Sequence, residues 1–254
     1  MKRIVVVGAS SGLGRCIGLG LAARGDRVAF MARRLERLEG AVAEAGAGAV
    51  AVACDVTDET GARAAIDTAA EALGGIDALI YSTGIGALGP IESFDAATLR
   101  HVFDTNVIGA HTVTAAALPH LKASQGMAAY LSSVSASLTP AWPGLSPYVV
   151  SKTALDKLVE AWRVEHPEVG FTRLTVGDCT GGEGESMTEF ATNWDGDHAM
   201  KFAPLWISRA LMAGTLMEVG ELVAVVDALV RLGASATVPE VTVTPRPGPL
   251  FPEG

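Results

Sequence analysis

The chain has 254 residues, 49% of them hydrophobic, which is enough apolar surface to build one domain around one core. Its formal net charge of −9 at pH 7 opposes nucleic acid and anionic membrane surfaces, so we expect neither as a partner. Three scattered cysteines and five histidines without ligand spacing argue against a disulfide framework and against a metal site. Met1 is followed closely by an apolar run too short for a signal segment, so we expect a cytoplasmic protein.

Short β-branched or apolar runs alternate with helical patterns along the whole chain. Runs of consecutive apolar residues are typical of strands buried on both faces, as in a parallel sheet with helices on each side. The pattern predicts a single α/β domain over residues 1–254, doubly wound, with about seven parallel strands. The predicted strands lie at residues 3–7, 27–31, 49–53, 77–81, 127–132, 171–176 and 240–244.

The first predicted strand runs directly into a glycine-rich turn, Gly8-Ala9-Ser10-Ser11-Gly12-Leu13-Gly14, and a helical pattern follows it. Glycines let the backbone approach a pyrophosphate closely, and free N–H groups at a helix start favour its negative charge. This context predicts a dinucleotide site and disfavours a glycine-rich turn that binds nothing. The residues expected to contact the cofactor in this turn are Gly8, Ser10, Ser11, Gly12, Leu13 and Gly14.

Two arginines, Arg33 and Arg34, follow the second predicted strand. An acidic residue in this place would accept hydrogen bonds from a ribose 2′-hydroxyl, whereas guanidinium groups favour a 2′-phosphate. The pair therefore favours NADP(H) over NAD(H). The alternative is that both arginines are simply solvated at the start of a helix.

Two long helices are predicted in the second half of the chain, one over residues 96–122 and one over residues 146–165. Ser146 is expected to be the N-cap of the second helix, with Pro147 as its first residue. Residues 177–215 form the least regular region, for which we expect a mobile substrate loop with short helices.

Tyr148 and Lys152 lie four residues apart, so both side chains share one helix face and can serve one site. We expect the ammonium group of Lys152 to lower the pKa of the phenol, with a smaller contribution from the helix N-terminus. Tyr148 would then exchange a proton near neutral pH.

The spacings Gly-x3-Gly-x-Gly and Tyr-x3-Lys together make the chain resemble the short-chain dehydrogenases/reductases over about residues 3–180. The resemblance implies a Rossmann fold and an oxidoreductase that transfers a hydride between nicotinamide and a small carbonyl or alcohol. It also implies that Asp55 and Val56 contact the adenine, although an N-cap role for Asp55 is the alternative. Gly84 would line the cofactor, and the two long helices would pair copies into a homodimer or homotetramer.

The same resemblance requires a serine at the end of the fifth strand, which binds the substrate oxygen. The residues at the strand end, Leu131-Ser132-Ser133-Val134, match the family pattern and favour Ser133. An interval of thirteen residues before the tyrosine favours Ser135 instead; we prefer Ser133. Family members place an asparagine where Asn106 stands, to hold a water that connects Lys152 to solvent. Tyr148 and Lys152 would also contact the nicotinamide ribose.

Three places depart from the family pattern. Val7 replaces a threonine whose hydroxyl ties neighbouring strands, and Ser82-Thr83-Gly84 replaces Asn-Ala-Gly beside the cofactor. Asp178-Cys179 replaces Pro-Gly beside the nicotinamide, so the pattern does not determine which face of the nicotinamide ring transfers the hydride.

The expected substrate wall is apolar and predicts a hydrophobic substrate; its residues are Trp142, Leu145, Met187, Phe190 and Trp194. Glu183, Glu185 and Glu189 are expected to face water, with repulsion of acidic substrates as the alternative.

Two other functions suit the same dinucleotide site. One is a protein that senses NADP(H) without turnover, and the other is a dehydratase or epimerase without net redox change. Tyr148, Lys152 and Asn106 together favour the oxidoreductase.

Overall fold

The computed structural model describes residues 1–246 and contains a seven-stranded parallel sheet within them. The strands are β1 (Arg3–Val7), β2 (Arg27–Ala32), β3 (Ala49–Ala53), β4 (Ala78–Tyr81), β5 (Met127–Ser133), β6 (Gly170–Val176) and β7 (Glu240–Val243). Their order across the sheet is β3-β2-β1-β4-β5-β6-β7. Each strand lies within one residue of its predicted bounds, and the predicted doubly wound fold is confirmed.

Helices cover both faces of this sheet. They are α1 (Gly12–Ala22), α2 (Leu35–Ala45), α3 (Glu59–Leu73), α4 (Ala96–Phe103), α5 (Gly109–Ser124), α6 (Val134–Ser137), α7 (Ser146–Glu165), α8 (Gly196–Ser208) and α9 (Val219–Val230). Helices α1, α2 and α9 bury one core with alternate strand residues, and α3, α5 and α7 bury the other. In residues 1–246 no helix has both the length and the hydropathy that crossing a bilayer requires.

The predicted helix over residues 96–122 is interrupted. A π-helical turn at Asp104–Ile108 separates α4 from α5, so the prediction of one regular helix was wrong. Asn106 lies in this turn, fully buried, and its amide bonds to both the N–H and the C=O of Ile85. A π turn adds one residue to a helical turn and commonly marks a functional site. The spacing of apolar residues cannot reveal such an insertion.

The predicted N-cap of α7 was also wrong, and the alternative N-cap role of Asp55 is excluded. Helix α7 begins at Ser146 itself, after Leu145, and the Ser146 hydroxyl is buried with no hydrogen-bond partner. Helix α3 is capped by Asp58, whose carboxylate accepts a hydrogen bond from the Gly61 N–H at 3.1 Å, so Asp55 is not its N-cap. Pro147 lies in the first turn of α7, where its missing N–H costs no helical hydrogen bond.

The region 177–215 is more regular than predicted, because it contains the thirteen-residue helix α8. Phe202 and Trp206 of this helix are buried in a third apolar cluster with Leu88, Trp142 and Leu145. The cluster lies beyond the sheet. It therefore forms an apolar wall beside the carboxyl ends of the strands.

Candidate active site

A cavity of about 810 Å³ opens at the carboxyl ends of the strands, where the strand order reverses between β1 and β4. Its volume is typical of a site for a cofactor or small molecule. The predicted site residues on its wall are Gly8, Ser10, Ser11, Gly12, Leu13, Gly14, Arg33, Arg34, Asp55, Val56, Gly84, Ser133, Ser135, Tyr148 and Lys152. Asn106 is the predicted site residue that lies behind the wall.

The first and last glycines of the turn between β1 and α1 have no room for a side chain. Gly8 has φ +89°, and a Cβ on Gly14 would lie 2.3 Å from the carbonyl oxygen of Gly8. Ser11 precedes α1 without making a side-chain cap, so the first N–H groups of the helix are not occupied by a capping oxygen. The turn therefore fits an anionic group such as a pyrophosphate.

Arg34 is held at the same end of the cavity. Its Nη2 donates to the hydroxyls of Ser10 at 2.8 Å and Ser11 at 3.2 Å. Its Nη1 lies 2.6 Å from Oε2 of Glu189, and Oε1 of the same carboxylate lies 2.5 Å from Nη1 of Arg37. Partial burial opposes ionisation of Glu189, but hydrogen bonds and charge from the two arginines leave its pKa lowered.

Two of the three glutamates of the substrate loop form ion pairs, but only Glu189 is partly buried, and Glu185 is exposed as predicted. Glu185 forms an ion pair at 3.1 Å with Arg15, which is buried on α1, and Glu189 bonds to Arg34. Glu183 is exposed as expected. The two paired glutamates join the loop to α1 and to the start of α2.

Helix α7 places Tyr148 and Lys152 on the cavity wall. The Lys152 Nζ lies 5.7 Å from the centre of the Tyr148 ring and donates to the Leu131 carbonyl at 2.7 Å. Burial lowers the pKa of Lys152 to about 8. Tyr148 keeps part of its surface on the wall, yet burial raises its pKa to about 12 despite a hydrogen bond with Ser133. The predicted lowering of the Tyr148 pKa was wrong, because the effect of burial dominates and raises it.

Ser133 and Ser135 lie together at the end of β5. Their hydroxyl oxygens are 2.9 Å apart, and the Ser133 oxygen also accepts a hydrogen bond from the Ser135 N–H at 3.2 Å. Ser133 is the serine that contacts Tyr148, and Ser135 is the more deeply buried of the two.

Asn106 connects Ile85, the residue after Gly84, to helix α7. Its Nδ2 donates to the Ile85 carbonyl and to the Ser151 hydroxyl, both at 2.9 Å, and its Oδ1 accepts from the Ile85 N–H. The Ser151 hydroxyl in turn donates to the Tyr148 carbonyl at 2.7 Å. Both amide hydrogens of Asn106 are thus used by protein acceptors, and its role in holding a water stays a prediction.

Comparison with known proteins agrees with this geometry. A family model described as short chain dehydrogenase matches residues 2–189. The chain belongs to the short-chain dehydrogenase/reductase family. Members of this family bind nicotinamide cofactors, and the resemblance stated from the motifs is confirmed.

Several short-chain dehydrogenases/reductases can be compared directly. The 11-beta-hydroxysteroid dehydrogenase 1A of Arabidopsis thaliana is 34% identical over 200 residues, which cover 72% of this chain and 56% of that protein. The match thus spans little more than half of the plant relative. An uncharacterized oxidoreductase of Listeria monocytogenes is 32% identical over 178 residues, covering 69% of this chain and 71% of that protein.

The fold matches solved structures over nearly the whole chain. A short-chain dehydrogenase from Streptomyces avermitilis superposes with a TM-score of 0.79 at 27% identity, covering 95% of this chain and 88% of that one. The alcohol dehydrogenase of Thermococcus sibiricus, complexed with 5-hydroxy-NADP, gives a TM-score of 0.80 at 24% identity and covers 96% of both chains.

Two residues that depart from the short-chain dehydrogenase/reductase pattern, Ser82 and Asp178, make hydrogen bonds that join separate segments of the chain. Ser82 donates its hydroxyl to the Val7 carbonyl at 2.6 Å, so the tie between β1 and β4 comes from the neighbouring strand. Asp178 accepts from the Ala213 N–H at 2.8 Å, and its carbonyl accepts from the Met217 N–H at 2.9 Å. The Asp178 replacement therefore joins the end of β6 to the segment before α9.

One buried charged residue beside this short-chain dehydrogenase/reductase site was not predicted. Asp156 is buried one helical turn after Lys152, and burial raises its pKa, opposed by the charges of Arg173 and Lys152. Its four-residue spacing from Lys152 was the signal that could have indicated it. Phe190, which was predicted on the substrate wall, packs edge-on against Tyr148, with ring centres 4.8 Å apart.

The substrate wall differs from the prediction at one residue. Met187 is 61% exposed and does not line the cavity, so its assignment to the wall was wrong. The aromatic and apolar residues that do line it are Trp142, Leu145, Phe190, Trp194, Trp206 and Met212. Trp206 was not predicted; it lies on α8, in the region predicted as a loop with short helices.

Proposed function

We propose that the protein is an NADP(H)-dependent oxidoreductase that transfers a hydride between nicotinamide and a small hydrophobic carbonyl or alcohol. One observation carries the proposal. A single cavity has an uncapped helix N-terminus and two arginines at one end, and a tyrosine with a buried lysine at the other. A dinucleotide has its phosphates and its reactive ring at opposite ends, so this arrangement fits its chemistry.

Each part of the cofactor has candidate residues in this cavity. The glycine turn before α1 would hold the pyrophosphate, and Arg33 and Arg34 would hold the 2′-phosphate. Asp55 and Val56 would contact the adenine. The Asp55 carboxylate is already oriented, because its Oδ1 accepts from the N–H of Thr57 at 3.0 Å and from the Thr57 hydroxyl at 2.7 Å.

The nicotinamide ring, when bound, supplies or accepts the hydride. Tyr148 keeps its proton near neutral pH because burial holds its pKa high, so it can donate that proton to a carbonyl oxygen. Lys152 is the nearby cation that would stabilise the phenolate left behind. Gly84 lets Lys152 approach, since a Cβ there would lie 3.1 Å from Nζ. Lys152 and Tyr148 would also contact the ribose.

Ser133 would orient the substrate oxygen toward Tyr148. Its oxygen accepts from the Ser135 N–H, and its O–H would turn from the neighbouring Ser135 or Tyr148 hydroxyl to donate to the substrate. We assign Ser135 the supporting role. Asn106 would keep the Ile85 backbone and α7 in register and hold the proton-relay water.

The apolar wall supports a hydrophobic substrate. Trp142 and Trp206 pack with ring centres 5.4 Å apart, and Phe190 and Trp194 with centres 5.2 Å apart. Relatives named as an 11-beta-hydroxysteroid dehydrogenase and as a putative ketoacyl reductase agree with a carbonyl or alcohol substrate.

The test is to incubate the protein with NADPH and a panel of ketones and aldehydes while following nicotinamide absorbance. We expect turnover in the wild type and a loss of about 100-fold or more in Tyr148→Phe, the usual size of a general acid's contribution. Binding of NADPH to that variant should stay within about twofold, since a cofactor contact through one hydroxyl is weak.

Tyr130→Phe is the matched control. The Tyr130 hydroxyl pairs with Thr114 at 2.7 Å in the core, away from the cavity, so this variant should keep its turnover. Unchanged turnover in Tyr148→Phe refutes the mechanism. Binding of NADPH without turnover of any substrate favours the sensing protein, and substrate loss at constant absorbance favours the dehydratase or epimerase.

A further inference from the structure

Glu189 occupies an oxyanion site made by other parts of the chain. Arg34 and Arg37 each donate to one oxygen of its carboxylate, at 2.6 and 2.5 Å, and the Ser11 hydroxyl donates to Oε2 at 3.3 Å. Glu189 comes from the loop after β6, more than 150 positions after these partners in the chain. The contact is therefore long-range and joins the substrate loop to the cofactor end of the cavity.

This oxyanion site coincides with the place assigned to the 2′-phosphate. The guanidinium of Arg34 bonds to Glu189 and also to Ser10 and Ser11 of the glycine turn. A carboxylate and a phosphate both accept hydrogen bonds from a guanidinium through two oxygens, so they compete for the same donors. They also repel each other, because like charges a few ångströms apart cannot share one pair of arginines without cost.

We infer that Glu189 is an internal competitor for the 2′-phosphate and thereby sets how strongly the cofactor site prefers NADP(H) over NAD(H). The inference rests on the proposed function. Glu189 is tethered next to Arg34, so its effective concentration there is high in every molecule. NAD(H) lacks the 2′-phosphate and can bind while Glu189 stays on Arg34. Glu189 is thus a specificity-determining residue that weakens NADP(H) binding selectively.

The test uses two probes that differ by one phosphate, adenosine 2′,5′-bisphosphate and adenosine 5′-monophosphate, with binding measured by calorimetry. Glu189→Gln keeps the size of the side chain and removes its charge. The variant should bind the bisphosphate about tenfold more tightly than the wild type, in keeping with the strength of two partly exposed ion pairs. The monophosphate should bind within about twofold of the wild type.

Glu185→Gln is the matched control, because Glu185 belongs to the same loop but pairs with Arg15. It should bind both probes like the wild type. The advantage of Glu189→Gln should also shrink at high salt, which screens the charge that the variant removes.

An Arg34→Ala variant separates the two proposals. If it binds the bisphosphate less tightly than the wild type but Glu189→Gln binds it no more tightly, the inference about Glu189 is overturned and the NADP(H) site stands. If Arg34→Ala binds both probes like the wild type, the 2′-phosphate site itself is misplaced and both proposals fall. If Glu185→Gln and Glu189→Gln strengthen binding of the bisphosphate equally, the inference is also overturned. The loss of any negative charge from the loop would then explain the stronger binding.

Discussion

Replacing Lys152 by methionine should stabilise the protein at neutral pH while abolishing its turnover. The Lys152 side chain is 3% exposed, and burial lowers its pKa to about 8 from 10.5 for a free lysine. Each pKa unit corresponds to 1.36 kcal/mol, so keeping this lysine charged in the fold costs about 3 kcal/mol at pH 7. Methionine has a similar unbranched stem and carries no charge.

The gain is reduced by one lost hydrogen bond. Lys152 Nζ donates to the Leu131 carbonyl at 2.7 Å, and its loss costs about 1 kcal/mol. We therefore expect Lys152→Met to unfold with a free energy about 2 kcal/mol above that of the wild type. For a chain of this length the melting temperature should rise by about 4–8 °C.

The pH dependence gives the sharper test. Between about pH 8 and pH 10.5 the unfolded wild type carries a proton on Lys152 that the folded protein has lost, so wild-type stability rises with pH in this window. The free energy of unfolding of the variant lacks this rise. The difference in stability between the two proteins should therefore disappear toward about pH 10.

Urea denaturation at both ends of the window measures the effect, with Lys157→Met as the control. Lys157 is an exposed residue of the same helix and pairs with Glu160, so its replacement should change stability by less than about 0.5 kcal/mol. A Lys152→Met protein that is less stable than the wild type at neutral pH, or a gap that does not vary with pH, refutes the reasoning.

Two further predictions concern the glycine turn and the assembly. Gly14→Ala should weaken NADPH binding more than about tenfold and destabilise the fold by about 1–3 kcal/mol, because the added Cβ would lie 2.3 Å from both the Gly8 carbonyl and the Ser82 hydroxyl. Calorimetry and thermal melting measure both effects, and Gly220→Ala, where a Cβ meets nothing within 4 Å, should show neither. We also propose that the face of α7 carrying the exposed Val150 and Val164 pairs copies into a homodimer or homotetramer, so light scattering should find an oligomer that a Val150→Lys, Val164→Lys double variant dissociates. A monomeric wild type contradicts that proposal.

Local spacing in the amino-acid sequence was enough to predict the parallel sheet and the main residues of the site. Runs of consecutive apolar residues predict buried parallel strands, and strand ends in such a sheet must meet at one edge. The glycine turn after β1 and the Tyr148–Lys152 spacing therefore predict one shared cavity, and both lie on its wall. These features depend on backbone periods of two and 3.6 residues, which the order of residues along the chain expresses directly.

Contacts between distant segments and the polarity of the interior were decided by the tertiary structure alone. Glu189 reaches Arg34 only because the loop after β6 folds back over α1, and Asn106 meets Ile85 only because the fold brings the two segments together. The pKa of Tyr148 rises because neighbouring protein replaces water around the phenol. Ionisation depends on everything packed within a few ångströms of a group, and a linear pattern does not contain that information.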